Sequence, residues 1–281
     1  MKKPDPFLDV RVHRLDISPG CSGLCVGYER GVWRAEQLAT HALDWLPEFA
    51  LSAQECEKMN HANAMAFIRR AAQIVYDTEK FAKRGEFGEL FLHIAVRQIF
   101  DSIPAISKIY YKSANNDTVK GFDSVHVVST DDDLELWIGE AKFYKDINSA
   151  IRDVVDEINS HTETDYLRSE FTLISNKIDD KSPHATALKR LLDPKTSLDE
   201  VFARACIPVL LTYNSPVINN HTSCDENYKE AFENEVIQHL QFFTESGLPS
   251  EIRIHLFLLP LRDKEELINI LDTKLKAWQK I

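Results

Sequence analysis

The sequence predicts an α/β fold, a mixed sheet core flanked by helices, on three observations. Residues 119–145, VKGFDSVHVVSTDDDLELWIGEAKFYK, read as a β-hairpin running toward a helix: 125–128 is rich in β-formers, 129–133 is turn-like and 134–143 alternates. A helical period follows, with Ile147, Ala150, Ile151, Val154, Val155 and Ile158 on one face; 171–175, FTLIS, then reads as a strand, giving a right-handed parallel crossover. Finally, 207–213, IPVLLTY, and 252–261, IRIHLFLLPL, have the length and composition of buried strands.

Taken in order, residues 1–31 alternate weakly among several prolines and glycines and predict short strands or an irregular cap. Residues 32–51 predict a helix with Leu38, Ala42, Trp45, Leu46 and Phe49 on one side, which Pro47 should kink or end. Ser52 and Glu55 have capping-box spacing, so a new helix should start near Ala53, its apolar face continued by Met65, Ile68, Ala72, Val75 and Tyr76. KFAKRG, at 80–85, is a basic break. The stretch 1–60 is thus expected as a mainly helical N-terminal cap region and 61–281 as the main domain.

Residues 86–100, EFGELFLHIAVRQIF, form a helix apolar around most of its circumference, interrupted by a stripe of Glu86, Glu89, His93 and Arg97. A buried helix needs partners for such a stripe; alternatively the stripe is its solvent edge, with Glu89 and His93 paired at i,i+4. The segment 103–116 predicts a strand or connector with an aromatic and basic cluster, Tyr110 and Tyr111 beside Lys108 and Lys112, suited to packing or to a nucleic-acid backbone. Beyond the hairpin, helices are expected at 197–205, 226–246 and 263–280, with polar loops at 179–184 and 215–225.

The candidate site lies in the second hairpin strand. Leu134, Leu136, Ile138, Glu140 and Lys142 share one face because strand side chains have period two. The last two put a carboxylate and an ammonium where the pattern calls for hydrophobes, which costs several kcal/mol unless they are paired or metal-bound. Asp123 comes level with Glu140 if the hairpin closes through 129–133, so two carboxylates converge beside one lysine. Close carboxylates repel unless a divalent cation neutralises them, and hard oxygen ligands suit Mg²⁺ or Mn²⁺. The bland reading is an edge strand whose Glu140 and Lys142 are solvated or paired with each other.

Composition sets limits on function. Five cysteines make no even disulfide framework and fit a reducing compartment; Cys21 and Cys25, in CSGLC, lack a second pair at zinc-site spacing. The N-terminus has no apolar h-region and the longest apolar run, 254–261, is too short to span a bilayer, so the expectation is a cytoplasmic protein without membrane contact. No Walker-type loop is present. A net charge of −11 disfavours unaided binding to a polyanion, so either a local basic groove or a partner must bring nucleic acid to the site.

Asp123, one hairpin, then Glu140-Ala141-Lys142 resembles the signature of the PD-(D/E)xK nuclease superfamily, with Gly121-Phe122 where that name has Pro. The resemblance implies a restriction-endonuclease-like core and a metal-dependent phosphodiesterase. Asp123, Glu140 and the Ala141 carbonyl would hold Mg²⁺ or Mn²⁺, Glu89 or else Glu86 would add an acid from the preceding helix, and His93 would touch phosphate or metal-bound water. Lys142 would orient the attacking water or stabilise charge. With RGEFGELFLH, GFDSVHVV and IGEAKFYKD in that order, the chain also resembles the HamA family of the Hachiman anti-phage system. That likeness implies a DNA-degrading effector controlled by a helicase partner, HamB. A catalytically silent nuclease-fold scaffold, or a regulatory subunit of a DNA-binding complex, is the alternative.

Overall fold

The computed structural model describes residues 3–75, 85–107, 121–129, 134–178 and 184–281. The chain forms β1 (Asp9–Arg14), β2 (Gly20–Cys25), a ribbon of β3 (Tyr28–Glu29) and β4 (Val32–Trp33), then α1 (Ala35–Asp44), α2 (Leu46–Ala50), α3 (Ala53–Lys58), α4 (Ala64–Val75) and α5 (Glu86–Phe100). There follow β5 (Ile103–Ser107), β6 (Ser124–Ser129), β7 (Leu134–Phe143), α6 (Ile147–His161), α7 (Thr164–Lys177), α8 (Ala185–Leu191) and α9 (Leu198–Ala203). The chain continues with β8 (Ala205–Asn214), α10 (Pro216–Asn220), α11 (Glu226–Thr244), β9 (Arg253–Leu261) and α12 (Lys264–Trp278).

Seven of these strands make one mixed sheet in the order β1-β2-β9-β8-β7-β6-β5. The hairpin forms as its alternation requires: β6 and β7 pair antiparallel from Ser124 opposite Gly139 to Ser129 opposite Leu134. β7, β8, β9 and β2 run parallel. The first sixty residues therefore supply β1 and β2 to the far edge of this sheet, in addition to helices α1 to α3.

The crossover after the hairpin is real, but its returning strand is β8, not residues 171–175. FTLIS lies inside α7, where Leu167, Phe171 and Ile174 are buried at helical spacing. Five β-prone residues were too short a signal to outweigh that 4, 3 period across the longer segment. The helix expected over 32–51 starts only at Ala35, after β4, and breaks at Trp45, with Pro47 in the first turn of α2. Ser52 and Glu55 do make a reciprocal capping box, but the helix it starts ends at Lys58. Asn60 and Asn63 side chains then accept backbone N–H groups of Ala62 and Asn60, offering the chain a turn in place of continued helix, and Met65 on α4 is exposed rather than facing the core. Tyr76, most of KFAKRG, the cluster of Lys108, Tyr110, Tyr111 and Lys112, and most of the 129–133 and 179–184 turns lie outside the described residues.

Two helices sandwich β7, and glycines set how close one of them comes. A Cβ at Gly88 of α5 would lie 3.0 Å from Phe143 Cβ and 3.6 Å from Ala141 Cβ, and one at Gly139 would lie 2.7 Å from Leu92 Cδ2. The face of β7 carrying Gly139, Ala141 and Phe143 is thus packed against α5. Glu140 and Lys142 consequently point the other way, toward α6. Around α5, helices α1, α2, α4 and α12 build the outer layer on that side.

Candidate active site

β7 outruns β6, and the site forms at the overhang. β6 pairs with β7 only as far as Gly139, whereas β8 accompanies β7 through Glu140, Ala141, Lys142 and Phe143. Where a β6 backbone partner would stand, Asp123 turns in: its own N–H donates to Gly139 O at 2.7 Å, and its Oδ2 accepts from Ala141 N–H at 2.8 Å. Because the N–H and C=O of one strand residue face the same side, the Ala141 carbonyl also faces the side from which Asp123 approaches. Phe122 and Asp123 are buried, and Gly121 beside them packs close to the Glu170 carboxylate of α7, whose Oε2 would lie 2.5 Å from a Cβ there.

Glu140 is 1 % exposed, which excludes the solvated-edge reading. Nor is it paired to Lys142. Its Oε1 lies 2.6 Å from His161 Nδ1 at the end of α6, while the Lys142 ammonium donates to Glu157 Oε2, one helical turn before His161. Glu140, Glu157 and His161 each present a ligand atom within 4.8 Å of the others, the one such group of three among the described residues. Burial pulls the Lys142 pKa down, but the Glu157 hydrogen bond and the charges of Glu157, Glu140 and Asp123 outweigh it, leaving the ammonium firmer than an ordinary lysine. Lys142 is therefore close enough to feel both Asp123 and Glu140, and Glu157 and His161 join the group. The latter two were not anticipated: the apolar period of 147–158 accounted for the helix, and the signal was a Glu and His at i,i+4 flanking its last apolar residue, Ile158.

The residues expected from α5 have different fates. Glu89 is buried in the first turn, next to the Gly88 contact with β7, on the opposite face from Glu157 and His161; Glu86, at the helix start, is half-buried. The stripe is not a solvent edge, because Glu89, His93 and Arg97 are all buried. His93 does not reach the site. Its Nε2 lies 3.2 Å from Glu48 Oε1 of α2, and its ring packs among Trp45, Phe49 and His126, so the expected contact with phosphate or bound water is corrected to a packing role. Burial outweighs Glu48 and lowers the His93 pKa, leaving the ring neutral at pH 7. The five cysteines are free thiols, and Cys21 and Cys25 are buried.

Glu140, Glu157 and His161, whose ligand atoms lie within 4.8 Å of one another, are donors of the kind a divalent cation takes, and the Asp123 carboxylate and the Ala141 carbonyl are further oxygen donors along the adjoining edge. Fold and site together define an α/β protein with a seven-stranded mixed sheet that gathers acids, an amine and an imidazole at the overhang of a hairpin. The model of the HamA family matches residues 4–275, nearly the whole chain, and the chain belongs to that family. Membership implies a role connected with the Hachiman defence system. No curated protein matches the chain. No helix among the described residues is long and apolar enough to cross a membrane.

Proposed function

We propose that the chain is a metal-dependent DNA nuclease of the PD-(D/E)xK type, the effector of an anti-phage system, controlled by the helicase partner HamB. The observation that supports this most is the meeting of Asp123, Glu140 and Lys142 where β7 runs on beyond β6. Asp123, Glu140 and the Ala141 carbonyl would hold Mg²⁺ or Mn²⁺, with Glu89 the acid that α5 offers from its own side of the sheet. When bound, such an ion polarises a phosphate and lowers the pKa of a water. The Lys142 ammonium, positioned by Glu157, stabilises negative charge gathering on the phosphoryl oxygens. Access comes from the outer rim: the side chains of Lys142 and Glu157 keep 15 % and 33 % of their exposure, above a floor made by Glu140.

The acidic net charge of −11 favours delivery of DNA by a partner over capture by this chain alone. The test is incubation of plasmid DNA with the purified chain, alone and with its helicase, in Mg²⁺, in Mn²⁺ and in chelator. Cation-dependent cutting that Asp123→Asn abolishes is expected. Absence of cutting under every condition, or cutting that persists in chelator, contradicts the proposal.

A further inference from the structure

We propose that Glu140, Glu157 and His161 form a mixed oxygen and nitrogen cation site, an arm of the same centre on its α6 side, which makes the protein prefer Mn²⁺ to Mg²⁺. The inference deepens the nuclease reading and rests on it for its place in catalysis, although cation binding itself is tested separately. Three side chains from two elements bring their ligand atoms within 4.8 Å of one another. An octahedral shell with bonds of about 2.1 Å separates neighbouring ligands by about 3 Å and opposite ones by about 4.2 Å, so small side-chain adjustments bring all three donors onto one ion.

The donors are also held in place. Glu140 sits on a strand fixed by β8, and Glu157 and His161 lie one turn apart on the same face of α6. The His161 ring stacks on Tyr166 at 4.3 Å with planes 8° apart, and Phe122, next to Asp123, meets it edge-on at 5.3 Å. Such clamping orients an imidazole before any ion arrives. Glu157 has two oxygens, so it can hold the Lys142 ammonium with one and a cation with the other, tying the lysine's position to the filling of the site.

The imidazole sets the selectivity. Mg²⁺ prefers oxygen donors and gives up its waters reluctantly, whereas nitrogen donors suit first-row transition ions. The competing explanation is that His161 only hydrogen-bonds the buried Glu140, at 2.6 Å. The two are separated by the spectrum of bound Mn²⁺. Electron spin-echo spectroscopy of the full chain titrated with Mn²⁺ should show ¹⁴N modulation from a directly bound imidazole. His161→Gln should remove that modulation and weaken Mn²⁺ binding at least tenfold, with a smaller loss for Mg²⁺ measured by competition. His161→Asn serves as the second variant, each checked for native circular dichroism. Bound Mn²⁺ without ¹⁴N modulation in the wild-type chain, or no Mn²⁺ binding at all, overturns the inference. The nuclease reading fails separately: a nitrogen signature with no DNA cutting sinks that reading and leaves this site standing, while cutting without the signature does the reverse.

Discussion

Two buried polar clusters lie on opposite faces of the β6–β7 hairpin, and they differ in the donors they bring together and in their exposure. On the α5 side, Arg97 grips Glu48 through Nε at 2.5 Å and Nη2 at 3.1 Å, donates also to the Ser102 carbonyl, and Ser102 Oγ lies 2.9 Å from His126 Nδ1. Burial pushes the Glu48 carboxyl up, but His93 and Arg97 outweigh it and hold it at about 2. That cluster joins α2, α5 and β6. On the α6 side, acids converge with an amine and an imidazole, and Lys142 and Glu157 remain partly open to solvent. Burial of charge is common to both; among the described residues a three-donor group of cation-ligand type stands only on the α6 side, where Glu157 is the more open member. An interrupted hydrophobic pattern marks a place to look, and donor geometry and access decide what is found there.

The largest contrast should appear in catalysis. Lys142→Ala and Glu140→Gln are expected to lower DNA cleavage by about 10³-fold, the scale of losing a charge-stabilising group, with Lys142→Ala keeping a native melting profile. The second cluster should respond in stability instead. Arg97→Ala leaves Glu48 buried without its cation and should cost about 3–5 kcal/mol, lowering Tm by on the order of 10 °C in a thermal melt.

Acid should distinguish the clusters further. Burial lowers the pKa of His41 to about 4 and of His255 to about 3, and those of His93 and His126 also fall, so all four stay neutral in the fold while the unfolded chain takes up protons below about 6.5. The stability from each is full above 6.5 and declines by about 1.4 kcal/mol per pH unit as pH falls toward its folded pKa. Glu48 adds a later loss, between its ordinary 4.5 and about 2. Tm should therefore drop steeply from pH 6.5 to 5, and His41→Gln, which keeps an acceptor for Trp45 Nε1, should make that slope shallower by about one proton. The smallest effect is expected far from both clusters: Ser52→Ala removes the capping box for about 1 kcal/mol and leaves cleavage unchanged.

Much of the hairpin's geometry was legible because the relevant contacts are local. Period two put Glu140 and Lys142 on one face, the turn brought Asp123 level with them, and both follow from neighbours in sequence. Glu157 and His161 were hidden because their meeting with Glu140 depends on how α6 lies across the sheet, which no local pattern records. His93 was misassigned for a related reason. A polar stripe on a buried helix shows that partners exist but not on which side they stand, and here Gly88 turns α5 so that His93 faces α2 and β6. The strand read at 171–175 failed where β-propensity competed with a helical period extending beyond the window.

The two clusters can be set against each other in a single assay: single-turnover cleavage of labelled DNA by the chain with the proposed helicase partner in Mn²⁺, comparing Lys142→Ala with His93→Gln at matched folded fractions. Lys142→Ala is expected to cut about 10³-fold more slowly than wild type, while His93→Gln stays within about threefold. Full-rate cutting by Lys142→Ala, or its loss in His93→Gln, would place the chemistry on the wrong face of the hairpin and contradict the account.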